Sequence, residues 1–113
     1  MDVMERIKHL VEENPVVIFM KGSPQFPQCG FSGRASQTLM ACGEDFKHVN
    51  IFEDEEVYRN LPRYSNWPTF PQIFVGGQLV GGCDITVELF TRGELQKMVK
   101  AAVQKSKVAQ AQS

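Results

Sequence analysis

A run of five apolar residues near the N-terminus, Val16–Met20, constrains the fold more than any other part of the chain. The run is rich in β-branched residues and shows no alternation between apolar and polar positions. This pattern is typical of a central strand that is buried on both faces of its sheet. A domain built around such a strand needs helices on both sides of the sheet.

The flanking sequence predicts two of these helices. Residues Val3, Ile7, Leu10 and Val11 share one helical face, and Pro15 ends that helix. After a loop rich in Gly, Pro and Ser over residues 21–28, a second helix is predicted to begin near Cys29 and to end at Gly43. Its expected inner side carries Phe31, Ala35, Leu39 and Cys42.

The second half of the chain predicts three more strands and a further helix between them. A strand is expected over residues 46–51, and the acidic residues 53–56 suit the first turn of a helix that Pro62 kinks or ends. The inner side of that helix carries Val57, Leu61 and Tyr64. Gly76-Gly77 between two short apolar segments predicts a β-hairpin.

Two helices are predicted after the hairpin. Asp84 is expected to cap the first, which Gly93 closes, and residues 95–103 form the second. Residues 1–104 are therefore predicted to form one domain, and residues 105–113 a flexible polar tail. The order of elements predicts a thioredoxin-like α/β fold, with a four-stranded mixed sheet and helices on both faces.

Composition excludes several classes of function. The 113 residues carry a formal net charge of −1, which argues against nucleic acid as a partner. The longest apolar run is too short to span a bilayer, and no signal-peptide pattern opens the chain, so neither membrane insertion nor export is expected. Three cysteines without paired spacing argue against a secreted disulfide framework. We therefore expect a reducing compartment, most simply the cytoplasm.

Cys29 is the principal candidate for chemistry. It stands in Cys29-Gly30-Phe31-Ser32 at a predicted helix start, where the thiolate is favoured over the thiol. A two-cysteine redox motif would have its second sulfur at position 32, and Ser32 stands there instead. Cys29 is therefore expected to find its second sulfur on another molecule, as a nucleophile or as a metal ligand. Lys21 is the candidate cation beside it.

Three segments in order make the chain resemble a known family. They are Lys21–Ser32, Trp67–Gln72 and Gly81–Asp84. Together they are similar to the monothiol glutaredoxins of the Cys-Gly-Phe-Ser class, in particular the short single-domain bacterial form, over residues 1 to about 100. The resemblance implies a glutathione site, in which Thr69, Phe70 and Pro71 form a cis-proline turn that presents the backbone of Phe70 to a bound peptide.

Further site residues follow from the same resemblance. Gly30 leaves room beside the sulfur, Phe31 belongs to the motif, and Gly82, Cys83 and Asp84 would receive the ammonium and carboxylate of a γ-glutamyl group. The other carboxylate of glutathione needs a cation. Tyr58 stands where the family has an arginine, so Arg59, Arg63 or Lys21 is left to take that role.

The resemblance also implies a cofactor and partners. A [2Fe–2S] cluster needs four ligands, and one well-placed thiolate in each of two chains leaves two for glutathione. The implied function is a cluster-bridged homodimer, with Cys29 as metal ligand, that transfers clusters to apo iron–sulfur proteins. A BolA-like protein is a further implied partner. The alternative is a glutathione-dependent oxidoreductase that reduces mixed disulfides. The Cys83 thiol is either a packing group or an occasional partner of Cys29, and Cys42 is read as a core residue.

Overall fold

The computed structural model describes residues 1–112, and its elements follow the predicted order. The first half contains α1 (Val3–Glu12), β1 (Val16–Met20), α2 (Gly30–Ala41) and β2 (Lys47–Asn50). A 3₁₀ turn (Ile51–Glu53) leads to the second half. This half contains α3 (Glu55–Ser65), β3 (Gln72–Val75), β4 (Gln78–Gly81), α4 (Cys83–Thr91) and α5 (Glu94–Ala111).

The four strands form one mixed sheet in the order β2-β1-β3-β4. Strand β1 pairs parallel with β2 and antiparallel with β3, and β4 pairs antiparallel with β3. All five residues of β1 are buried, as expected for a strand with a neighbour on each edge and helices on each face. The predicted thioredoxin-like fold with a four-stranded mixed sheet is confirmed.

The side chains of β1 alternate between two separate cores. Ile18 and Met20 pack in a core with α2, α4 and α5, whereas Val17 and Phe19 pack in a core with α1 and α3. Two helix layers therefore cover opposite faces of the sheet. The start of α4 and the side of α3 belong to different layers. A ligand that contacts both therefore has to bind at the ends of the strands, where it can reach both layers.

Glycines with positive φ mark the ends of several helices and strands, as predicted. Gly43 follows α2 with φ +81°, and Gly93 follows α4 with φ +77°. Gly76 and Gly77 form the two-residue hairpin turn, both with positive φ. These positions need the left-handed conformation, which glycine adopts without steric cost.

Two expectations for the middle of the chain need correction. Strand β2 is shorter than predicted, because the Asn50 side chain accepts a hydrogen bond from the Phe52 N–H and starts the 3₁₀ turn at Ile51. Pro62 does not end α3, which continues to Ser65. The acidic segment starts α3 as predicted, and Asp54 accepts from the Val57 N–H and also pairs with Arg6 of α1.

The C-terminal segment is helical beyond the predicted domain boundary. Helix α5 continues through residues 105–111, where the sequence predicts a polar tail, although most of these side chains are exposed. The flexibility of this segment stays a prediction, and Ser113 lies outside the described residues. Within residues 1–112, none of the helices has the length and apolar character needed to cross a bilayer.

Candidate functional site

A cleft of about 620 Å³ opens where the ends of β1, α2 and α4 meet the loop before β3. Most of the residues predicted for the site line it: Lys21, Cys29, Phe31, Thr69, Phe70, Pro71, Gly82, Cys83 and Asp84. These residues come from distant parts of the sequence. The fold brings them together at one end of the central strands β1 and β3. The three segments singled out in the sequence therefore form a single site.

Cys29 is the N-cap residue of α2 and has an extended backbone, so its sulfur faces the free N–H groups of the first turn. Its side chain is partly exposed. Donation from the backbone N–H of Ser32 lowers the pKa of Cys29 most, with smaller contributions in the same direction from the Phe31 N–H and the charge of Lys21. Burial opposes these effects and does not outweigh them. The sulfur is therefore an accessible thiol of lowered pKa at the wall of the cleft.

Ser32 has a structural role at the position where a resolving cysteine would stand. Its side chain is fully buried, and its hydroxyl accepts a hydrogen bond from the Lys21 N–H at 3.0 Å. This contact joins the first turn of α2 to the end of β1. It holds Lys21 and Cys29 on the same side of the cleft.

The loop between Lys21 and Cys29 closes on itself. The Gln28 N–H donates to the Lys21 carbonyl at 2.9 Å, and the Ser23 N–H donates to the Phe26 carbonyl at 3.2 Å. Gly22 has φ +92°, and its N–H donates to the Asn50 side chain at 3.1 Å. The loop is therefore fixed by backbone hydrogen bonds that end directly before the reactive sulfur.

The loop before β3 has the expected cis peptide between Phe70 and Pro71. Gln72, which is fully buried, holds this loop, because its amide donates to the carbonyls of Trp67 at 2.8 Å and Thr69 at 3.1 Å. No role was predicted for the Gln72 side chain from the sequence. The available signal was one amide side chain at the head of an otherwise apolar strand.

The start of α4 differs from the prediction in one respect. Asp84 does not cap the helix, because the N-cap is Gly82 and no side chain caps it. Asp84 lies exposed in the first turn and faces the cleft. Cys83 is buried, and burial raises the pKa of its thiol, as it also does for Cys42. Of the three thiols, only Cys29 has a pKa shifted downwards.

Of three other predicted positions, Phe31 and Arg59 turn out differently from expectation and Gly30 does not. Phe31 lines the cleft but is 63% exposed, so it does not lie on the inner side of α2. Gly30 begins α2, and a Cβ there would meet no protein atom within 4 Å, which leaves open space beside the sulfur. Arg59 does not line the cleft, because its side chain is 68% exposed and pairs with Glu55 at 3.6 Å.

Tyr58 and Ile85 are cleft residues that the sequence analysis did not assign. Tyr58 of α3 and Ile85 of α4 both line the cleft and are partly exposed. Trp67, the first residue of the segment Trp67–Gln72, also lines it. Apolar side chains on a helix are usually assigned to the core. The position of Tyr58 and Ile85 in a cleft can therefore be recognised only from the tertiary structure.

Among the described residues, no cluster of side chains is suited to hold a metal ion without outside ligands. Within residues 1–112 there is no group of three or more His, Cys, Asp or Glu side chains that could hold a metal ion. Any metal bound through Cys29 would therefore need ligands from other molecules.

Comparison with known proteins places this geometry in a family. The family model described as Glutaredoxin matches residues 16–80, from β1 to β4. The chain belongs to the glutaredoxin family. The resemblance predicted from the three sequence segments is confirmed, since the matched range contains Cys29 and the cis-proline loop.

Curated relatives and solved structures agree with this assignment. Glutaredoxin 4 of Escherichia coli K12 is 51% identical over 104 residues, which cover 92% of this chain and 90% of the relative. Glutaredoxin 4 of Pasteurella multocida is 52% identical over 99 residues, covering 88% and 91%. These likenesses are consistent with a glutaredoxin-4-like monothiol form, because Ser32 stands where a second cysteine would be.

Among solved structures, reduced apo GrxS14 of poplar superposes with a TM-score of 0.75 at 46% identity, covering 88% of this glutaredoxin and 91% of the poplar chain. The holo form of glutaredoxin C1 from Populus tremula x tremuloides superposes with a TM-score of 0.78 at 31% identity, covering 88% of each chain.

Proposed function

We propose that this glutaredoxin binds a [2Fe–2S] cluster together with glutathione and transfers the cluster to apo-proteins. The observation that carries the proposal is Cys29, an accessible thiol of lowered pKa that has no second reactive cysteine in its motif. A thiolate is the ligand that such clusters require. Because each chain supplies one ligand, the cluster is shared between molecules. A shared cluster of this kind is suited to release.

The cleft beside Cys29 suits glutathione in charge and shape. Asp84 supplies a carboxylate for the ammonium of the γ-glutamyl group, and the first N–H groups of α4 suit the neighbouring carboxylate. Lys21 supplies a cation for the glycyl carboxylate. The backbone N–H and C=O of Phe70, beside the cis peptide, offer hydrogen-bond groups to the tripeptide between these two ends.

The ligand count favours a shared cluster. Four thiolates are needed, and the described residues of one chain offer Cys29 alone, since Cys83 is buried and its thiol has a raised pKa. Two chains and two glutathione molecules complete the set. When bound, the cluster supplies the inorganic cargo. This chain contributes one thiolate, the glutathione cleft, and the Lys21 charge that stabilises the thiolate form of Cys29.

A second candidate function follows from the same sulfur. In a glutathione-dependent oxidoreductase, the Cys29 thiolate attacks the glutathionyl sulfur of a mixed disulfide and releases the protein thiol. A second glutathione thiolate then attacks this adduct, frees Cys29 and leaves as glutathione disulfide. The lowered pKa of Cys29 favours this reading, because it makes the sulfur a good leaving group.

The cellular setting belongs to the proposal. We infer a homodimer bridged by the cluster, with a BolA-like protein as an alternative partner and apo iron–sulfur proteins as recipients. The cytoplasm is the proposed compartment, because a free low-pKa thiol needs a reducing environment to stay active.

Anaerobic reconstitution with iron, sulfide and glutathione tests the proposal. We expect thiolate-to-iron absorption, about one cluster per two chains and a dimer by sedimentation. Cys29→Ser is expected to abolish all three, whereas the matched variant Cys42→Ser keeps them. A colourless protein, or a cluster that forms equally well without glutathione, would contradict the proposal. Rapid turnover of a glutathionylated peptide without cluster binding would favour the oxidoreductase.

A further inference from the structure

The α3 wall of the cleft consists of Tyr58 and Pro62, and Tyr58 is its aromatic residue. The Tyr58 ring lies edge-on against Phe70, with centroids 5.3 Å apart and an interplanar angle of 78°. On its other side, Phe52 lies 6.1 Å away in a tilted arrangement. Contacts of this kind are favourable and directional, so they fix the orientation of the ring. Tyr58 is therefore a fixed part of the wall.

Formal charge in the cleft is sparse and sits on different segments. Among the described residues that line it, Lys21 is the one lysine or arginine and Asp84 is the one carboxylate. Asp84 lies on α4, in the helix layer that shares a core with α2 and α5, whereas Tyr58 lies on α3, in the layer on the opposite face of the sheet. A ligand whose ammonium pairs with Asp84 directs its other end away from α4, towards β1 and α3.

The arginines of α3 do not add charge to this wall. Arg59 extends into solvent and pairs with Glu55, one helical turn earlier. Arg63 is exposed, and neither arginine lines the cleft. Adjacent residues on a helix point about 100° apart, so Tyr58 and Arg59 lie on different sides of α3. The far end of the cleft therefore has one cation, Lys21.

We propose that Tyr58 is a specificity-determining residue that makes this end of the cleft permissive for ligands without a terminal carboxylate. The inference rests on the proposed binding of glutathione through Asp84 and Cys29. The ligand class is γ-glutamyl tripeptide thiols whose glycyl carboxylate is free, esterified, amidated or extended. The Tyr58 ring can pack against a neutral end group of the ligand. Lys21 is a single, partly exposed cation, so a ligand that lacks the glycyl carboxylate charge loses little affinity.

Titration of the protein with reduced glutathione and with its glycyl monoethyl ester tests this inference. Trp67 is the single tryptophan of the chain and lines the cleft, so its fluorescence reports binding under anaerobic conditions, with calorimetry as a second readout. In the wild-type protein, the ester is expected to bind within about fivefold of the free acid, the upper range for one exposed charge pair. Tyr58→Arg is expected to raise this ratio above about tenfold, because a guanidinium pairs with a carboxylate in bidentate fashion.

Two variants act as controls. Tyr58→Phe keeps the aromatic wall and is expected to keep the wild-type ratio, and Arg59→Gln is expected to do the same. A wild-type ratio above about tenfold, or a ratio that falls in Arg59→Gln, overturns the inference and leaves the proposed function standing. If neither ligand binds any variant while thermal melting shows folded protein, the proposed function fails, and this inference fails with it.

Discussion

At the scale of single residues, the position of a thiol in the fold decides its chemistry. Cys29, Cys42 and Cys83 are all free and have the same intrinsic acidity. The N–H groups of Ser32 and Phe31 lower the pKa of Cys29, and burial raises the pKa of the other two. Donors fixed by a helix end therefore make one sulfur of the three more acidic than the others.

The first prediction concerns the pH dependence of Cys29. Alkylation by iodoacetamide, followed by mass spectrometry, is expected to modify Cys29 first, with a midpoint below the pKa of about 8.5 of an unperturbed thiol. Because the Lys21 charge lowers the pKa of Cys29, Lys21→Gln is expected to move the midpoint upwards. The rate at pH 7 then falls by less than about fivefold, the limit for a solvent-exposed charge.

Lys97→Gln is the matched control for this prediction. Lys97 is an exposed lysine on α5 and does not line the cleft, so its loss is expected to leave the alkylation midpoint unchanged. A wild-type midpoint at or above that of a free thiol would show that the helix end does not stabilise the thiolate. An equal shift in both variants would assign the effect to net charge.

At the scale of elements, the loop over residues 22–28 positions the sulfur. A Cβ on Gly22 would stand 2.5 Å from the Phe26 carbonyl oxygen and 2.7 Å from the Gln28 nitrogen. Both are backbone atoms, so no side-chain rotation relieves the clash. The loop depends on the absence of a side chain at this position, as well as on the positive φ of Gly22.

Gly22→Ala is therefore expected to lower the free energy of unfolding by about 2–4 kcal/mol, from left-handed strain together with overpacking. It should also change the alkylation rate of Cys29, because the loop must open next to the sulfur. Gly43→Ala is the matched control. Gly43 also has positive φ, but a Cβ there meets nothing within 4 Å, so about 1–2 kcal/mol of strain is expected. Urea denaturation measures both, and equal losses would contradict the steric argument.

Elements with strong local signals were predictable from sequence. The apolar pattern located β1, and glycines at defined positions marked the ends of α2 and α4 and the hairpin turn. Phe31 was assigned to the wrong side of α2, because the buried side of that helix is built largely of small residues, including Ser32, Gly33 and Ser36. Hydrophobicity alone predicts that an aromatic residue such as Phe31 is buried. On the buried side of α2, however, a Cβ at Gly33 would come within 3.1 Å of Pro27, so a small residue fits there.

The site was predictable where residue identity determines the chemistry, and not where neighbours determine it. Cys29 was assigned from local sequence, whereas the cis-proline turn and the site residues at the start of α4 followed from the resemblance to the glutaredoxins. The exclusion of Arg59 depends on its pairing with Glu55, and the cleft position of Tyr58 depends on Phe70, which is distant in sequence. Contacts of this kind arise from tertiary packing, so no local pattern predicts them.

At the scale of the whole molecule, α1 and α3 are joined by a charged contact as well as by their shared core. The Arg6 guanidinium donates to both carboxylate oxygens of Asp54, which is 48 residues away in sequence. Asp54 also caps α3 by accepting from the Val57 N–H at 3.3 Å. The contact links the first helix of the chain to the helix that carries Tyr58.

This link predicts how stability changes in acid. Hydrogen bonding to Arg6 lowers the pKa of Asp54, so the carboxylate stabilises the folded state above the unfolded pKa of about 3.9, and this contribution is lost as the pH falls through the lower folded pKa. Asp54→Asn keeps a capping side chain and loses the charge. Urea denaturation is expected to show a loss of up to about 1 kcal/mol at pH 7 that disappears near pH 2. Glu55→Gln removes an exposed charge of the same helix and should show no such gap, whereas a gap for Asp54→Asn that is unchanged in acid would contradict the link.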